Sequence, residues 1–170
     1  MKKTFRLAKG RQWTILEKDV VDEIIFRYDN ARNRLMLELM ARGGMRIGEV
    51  LKLRAMDVDD QKLLLITPKS GRQSEIVVIP KKVADRLRDY ILSNQINQNQ
   101  HIFPISYSAA RKMAKTAGRR IGIELTPHDF RRHAATYASR DIATFLPLPL
   151  HLIQHFSNHF CKVNSQDRFC

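Results

Sequence analysis

Cysteine is nearly missing from this chain of 170 residues: there are two, Cys161 and Cys170, both within the last ten positions. Neither stands at the spacing of a metal site or a disulfide framework, which argues against a zinc module and a disulfide-stapled secreted scaffold and leaves the two thiols without an assigned role. Long apolar runs are missing as well. Nothing approaches the roughly 20 residues needed to cross a bilayer, and the opening Met1-Lys2-Lys3-Thr4-Phe5-Arg6 lacks the apolar core of a signal peptide. A cytoplasmic protein that uses no membrane is therefore expected. Glycine and proline are modest, at 7 and 6, and 44% of the residues are hydrophobic, a composition that argues against a disordered chain and suits one folded domain with a real core. Acidic residues are the scarce charge. Seventeen Asp and Glu stand against 30 Lys and Arg, a net charge of +13, and an excess of that size points to nucleic acid before any other anionic surface.

What is present divides into three parts. Residues 1–13 are basic and polar, with Gly10 between Lys9 and Arg11, and read as a flexible arm. Residues 14–140 carry the periodic segments. Thr14-Ile15-Leu16-Glu17 has a capping-box pattern ahead of Val20, Val21, Ile24, Ile25 and Tyr28, predicting a helix over 14–28. Asn30 or Asp29 caps a second helix whose apolar face is Leu35, Met36, Leu39 and Met40, closed by Gly43-Gly44. A third opens at Gly44-Met45-Arg46-Ile47-Gly48-Glu49 with Ile47, Val50 and Leu51 as its buried stripe. Two β-rich runs, 63–67 and 75–79, flank a polar connection containing Lys69 and predict a hairpin. After Pro80 the helical period returns through Val83, Leu87, Tyr90 and Ile91, and the polar stretch 93–100 reads as a linker or long loop. A basic helix over 106–121 holds Arg111, Lys112, Lys115, Arg119 and Arg120, either a track for a DNA backbone or a solvated surface. The whole is a mainly helical α+β domain with one small antiparallel sheet.

Residues 141–170 differ in kind. Their only charged residues are Asp141, Lys162, Asp167 and Arg168, and they hold half the chain's Phe and His together with Pro147 and Pro149. No tyrosine follows Tyr137.

The densest chemistry lies in His128-Asp129-Phe130-Arg131-Arg132-His133. Thr126 can cap a helix there and Pro127 suits its first turn, so imidazole and guanidinium groups gather where the helix end adds positive potential. His128 and Arg131, three apart, share a face, while Phe130, Ala134 and Ala138 can face a core. Arg46 at the start of the third helix, with Glu49 three residues on to orient it, can offer a second planar donor fork to a phosphate. Taken singly, each of these is also compatible with a solvated basic helix or an ordinary Arg–Glu pair.

Taken together, the stretch Gly44 to Leu53, the hairpin Lys69 and His128-Asp129-Phe130-Arg131 resemble the catalytic domain of tyrosine recombinases, the phage integrase and Xer family, over about 14–140. That resemblance implies site-specific DNA recombination or integration by a phage or mobile element, on double-stranded DNA, by an oligomer assembled on it. It makes Arg46 and Arg131 the catalytic arginines, Glu49 the support of Arg46, Lys69 the acid for the leaving 5′ oxygen, and His128 a proton-transfer and phosphate-holding group. Arg111, Lys112, Lys115, Arg119 and Arg132 are expected to bind DNA. Guanidinium forks stabilise the charge of a pentacoordinate phosphate without a metal, and a covalent phosphotyrosine stores the bond energy, so no cofactor is expected.

Three departures stand out. Where the family often has His directly after its second arginine, this chain has Arg132 and only then His133. His155 falls at the spacing of the family's later His or Trp, in a sequence that matches that motif loosely, and position 164, where the nucleophilic tyrosine is expected, is Asn164. Tyr90, Tyr107 and Tyr137 are wrongly placed to replace it. A reading-frame shift near Arg140 accounts for the altered tail, the alternative being an inactive family member, and the chain would then bind DNA without cutting it. Ahead of Thr14 the sequence carries only the short arm, where the resemblance implies a DNA-clamping domain.

Overall fold

The computed structural model describes residues 16–66 and 74–145, with side chains to residue 138. Helix α1 (Lys18–Phe26) is followed by α2 (Ala31–Arg42) and α3 (Ile47–Lys52), then a single 3-10 turn (Ala55–Asp57). Strands β1 (Val58–Asp59), β2 (Lys62–Ile66) and β3 (Ser74–Val78) come next, then α4 (Lys81–Ser93), α5 (Tyr107–Arg119) and α6 (Pro127–Phe145). The architecture is the expected mainly helical one with a small antiparallel sheet.

Helix α2 is the hub, touching α1, α3, α4 and α6. Sequence periodicity gives it one apolar face, but Leu35 through Ala41 are all buried, because neighbours surround the helix. Asn30 caps it as expected, its side chain accepting from Asn33 N at 3.1 Å. Burial on every side strands Glu38, 1% exposed, and Arg86 of α4 answers it with two hydrogen bonds, at 2.7 and 3.1 Å. A charge taken out of water requires such a partner, so this pair fixes α4 against α2.

Helix α1 is shorter than the pattern over 14–28 suggests. It begins at Lys18 with Glu17 at the cap position and no side-chain cap hydrogen bond, and Thr14 lies outside the described residues. The sheet has order β1-β2-β3, with Leu63 opposite Val77 and Leu64 opposite Ile76; β1 is too short to leave a periodic signal. Leu63 and Leu65 point into the core, while Leu64, Ile66, Ile76 and Val78 lie on the exposed face. The polar stretch 93–100 is bonded down rather than a free linker. Met56 N donates to Gln98 O at 2.9 Å and Ile102 N to Leu53 O at 3.0 Å, tying the loop to the chain after α3. Ser106 caps α5 through Ala109 N, at 3.2 Å, and α5 ends at Arg119, two residues before the expected limit.

Candidate functional site

Arg46 is the N-cap residue of α3, and its position follows from the turn that precedes it. Gly44 has φ +65°, a left-handed conformation that glycine adopts without strain, and a Cβ built there would lie 3.6 Å from the Ala134 Cβ of α6. The turn between α2 and α3 therefore sits directly on α6. Glu49 then holds Arg46 twice, its Oε1 accepting from Nη1 at 2.8 Å and its Oε2 from the backbone N–H at 2.7 Å. Both side chains are largely withdrawn from solvent, 16% and 13% exposed, so the guanidinium has a fixed direction.

Helix α6 supplies the facing groups. Phe130 is fully buried and anchors the first turns; Ala134 is half-buried on the Gly44 turn; Ala138, expected to face the core, is exposed. The inward line runs instead through His133, whose Nδ1 lies 2.8 Å from the Leu16 carbonyl oxygen, and Tyr137, whose ring centroid stacks 4.4 Å from that of His133. The start of the helix is also built differently from expectation. Thr126 donates rather than accepts: its backbone N–H and its hydroxyl both reach Oδ2 of Asp129, each at 2.7 Å. The other oxygen of Asp129 lies 3.3 Å from Nη1 of Arg132. Nη1 of Arg131 is shielded from solvent.

His128 joins these parts electrostatically. Partial burial lowers its pKa first, and the charges of Arg132 and Arg131 lower it further, with Asp129 opposing and Arg46 adding a smaller push in the same direction. Arg46, from before α3, and Arg131 and Arg132, from α6, thus act on one imidazole. The fold sets Arg46 near enough for its charge to reach His128, which follows it by more than eighty positions and has Arg131 and Arg132 beside it in sequence. Lys69, in the connection between β2 and β3, and His155 lie outside the described residues, as does position 164.

The cations of α5 form a separate feature. Arg111, Lys112 and Arg119 are exposed and Lys115 half-buried, and with Tyr107 they line a shallow depression of about 450 Å³. None of them is among the charges that shift His128. Arg120 belongs to the scaffold: its guanidinium sits 4.4 Å above the Tyr28 ring, and its Nη1 donates to Arg27 O at 2.9 Å.

Tyr137 and Tyr90 both have other partners. The Tyr137 hydroxyl donates to Glu17 Oε2 at 2.7 Å and accepts from Lys18 N at 2.9 Å, joining α6 to the start of α1; Tyr90 is stacked on Phe103. Sequence reasoning missed Asp129, His133 and Tyr137 as organisers. Only for Asp129 was there a signal, an acidic residue three positions after a Thr at a helix start. Among the described residues no cluster of three His, Cys, Asp or Glu side chains could hold a metal ion, and no helix is long and apolar enough to cross a membrane.

A sequence model of the phage integrase family matches residues 14–160. The chain is 29% identical over 116 residues to tyrosine recombinase XerA of Thermococcus kodakarensis, covering 62% of this chain and 41% of that protein. It is 27% identical over 158 residues to transposase A from transposon Tn554 of Staphylococcus aureus, covering 79% and 43%. It thus spans less than half the length of these curated relatives. Among solved structures, XerA recombinase shares the fold at TM-score 0.66 with 22% identity, over 84% of this chain and 55% of that one. A lambda integrase dimer bound to a core site gives 0.62 with 20% identity, over 89% and 59%.

Proposed function

Because the chain belongs to the phage integrase family, whose model covers residues 14–160, we propose that its basic cluster is a DNA-phosphate site of the tyrosine-recombinase type, built for site-specific recombination on duplex DNA. The observation that carries this reading is the packing of the Gly44 turn, which leads into Arg46, on the helix that bears His128 and Arg131, a Cβ built at Gly44 lying 3.6 Å from the Ala134 Cβ. In the reaction, a tyrosine phenolate attacks the phosphorus, the bond to the 5′ oxygen breaks, and the phosphate passes through a pentacoordinate state with added charge on its non-bridging oxygens. Arg46 and Arg131 are the donors for that charge, Arg46 being aimed by Glu49. His128 holds the phosphate and moves a proton, Lys69 protonates the departing 5′ oxygen, and His155 takes the place of the later histidine. Arg132 and the α5 cations Arg111, Lys112, Lys115 and Arg119 bind neighbouring phosphates, with further copies of the chain assembling on the same DNA.

This chain lacks the phenol at position 164, and the engagement of Tyr137 with Glu17 and Lys18 supports our view that it does not stand in. The function we assign is DNA binding at a recombinase phosphate site with strand cleavage lost. The tail after Arg140, which the lost phenol belongs to, we attribute to a shifted reading frame. Incubation with a suicide substrate, a duplex nicked near the scissile phosphate, followed by a denaturing gel, is expected to give no covalent adduct, because arginine and lysine stabilise a transition state without replacing its nucleophile. An adduct mapping to Tyr90, Tyr107 or Tyr137 would contradict this. For the binding itself, Arg46→Ala and Arg131→Ala are each expected to weaken duplex affinity more than loss of an ordinary surface charge such as exposed Lys82.

A further inference from the structure

The first turn of α6 contains one acidic side chain, Asp129, set between His128 and Arg131. A carboxylate subtracts from the positive potential that a phosphate site needs. Capping alone does not call for that charge, since a neutral amide can also accept from the cap backbone N–H. Yet Asp129 is committed on both sides: Oδ2 takes two 2.7 Å hydrogen bonds from Thr126, and Oδ1 lies 3.3 Å from the Arg132 guanidinium. The two side chains are 17% and 32% exposed, so the pair is partly sheltered from water. Arg132 follows His128 by four positions on α6 and so lies on the same face of the helix, and the charges of Arg132 and Asp129 act on the imidazole in opposite directions.

We propose that Asp129 is a positioning residue of the phosphate site: one oxygen fixes the start of α6 through Thr126, and the other holds the Arg132 guanidinium beside His128 and Arg131 before any phosphate arrives. This rests on the DNA-phosphate reading above. An arginine side chain gives up much rotamer freedom when pinned. Pinned by Asp129 in the free protein, Arg132 loses that freedom on folding instead of on binding, and the cluster meets the phosphate already assembled.

The test turns on a sign. By charge alone Asp129→Asn should tighten binding to DNA, because it removes one negative charge beside the polyanion. Positioning predicts the reverse. Affinity of the full chain for a short mixed-sequence duplex, read by fluorescence anisotropy at fixed salt, is expected to fall by about threefold or more in Asp129→Asn. In Asp129→Asn combined with Arg132→Gln, the loss is expected to be no greater than that of Arg132→Gln alone, since the carboxylate acts through the guanidinium and only its charge effect remains once Arg132 is gone. Thermal unfolding reports the cap separately, and Asp129→Gln, a longer neutral acceptor, replaces Asp129→Asn if that variant folds poorly. Thr126→Ala, which removes one hydrogen bond and leaves the Arg132 pair, is expected to lower stability and to cost less affinity than Asp129→Asn. Equal or tighter binding by the amide variant, with Arg131→Ala weakened far beyond Lys82→Ala, overturns the role of Asp129 and leaves the phosphate site standing. Arg131→Ala no weaker than Lys82→Ala overturns the phosphate site and the role of Asp129 with it.

Discussion

His128 takes up a proton less readily than a free imidazole, whose ordinary value is 6.5, because part of its ring is out of water and because Arg132, Arg131 and Arg46 repel the added charge more than Asp129 attracts it. The folded chain therefore binds this proton more weakly than the unfolded chain. Its contribution to stability is complete above the unfolded value and is lost as pH falls through the folded one. A histidine NMR titration is expected to place the His128 midpoint below 6.5, to raise it in Arg132→Gln, and to raise it again when duplex DNA brings phosphate charge to the ring. A midpoint unmoved by Arg132→Gln would contradict the arrangement. The His128–Arg131 pair was legible in the sequence because i, i+3 neighbours share a helix face wherever the helix lies. His133 was not: its partner, the Leu16 carbonyl, is 117 residues away, and no local pattern registers such a contact.

At the scale of elements, the connections set the site as much as the helices do. Gly118, near the end of α5, leaves no room for a side chain: a Cβ there would press on the Ile123 carbonyl oxygen and come within 2.7–2.8 Å of Leu125 side-chain atoms. That segment feeds α6, and Leu125 is itself buried. Gly118→Ala is expected to destabilise the fold by about 1–3 kcal/mol, as overpacking does. Gly48 in α3 offers the contrast. Nothing lies within 4 Å of a Cβ there, so Gly48→Ala is expected to stabilise the domain by up to about 1 kcal/mol through helix propensity. Chemical denaturation of the two variants checks both signs. Helix existence was readable from apolar spacing, but helix ends were not. The α6 start is decided by which side chain reaches which N–H, and there Asp129 rather than Thr126 provides the acceptor.

For the whole molecule, the proposed function together with the net charge of +13 and the basic features on α6 and α5 predicts DNA binding dominated by phosphate contacts. The logarithm of duplex affinity is expected to fall linearly with the logarithm of salt concentration, by about 0.9 per phosphate contacted. Arg111→Ala should make that slope shallower by about one unit without altering sequence preference. A flat salt dependence would contradict the proposed function at its base.

Apolar spacing was enough for the six helices and two longer strands of the described residues and for their order, and i, i+3 spacing for the local pairs, Arg46 with Glu49 and His128 with Arg131, because both survive in any context, whereas β1 left no such signal. The sequence also shows Asn at position 164, where the family resemblance led us to expect a tyrosine. Packing settled what spacing could not: α2 is enclosed on all sides with Arg86 answering Glu38, Gly44 seats the Arg46 turn on α6, and His133 and Tyr137 serve the start of α1. Those outcomes depend on which distant surfaces are pressed together. Burial, and with it the cost of leaving a charge or a hydrogen-bonding group unanswered, is a property of the packed chain and of no single segment.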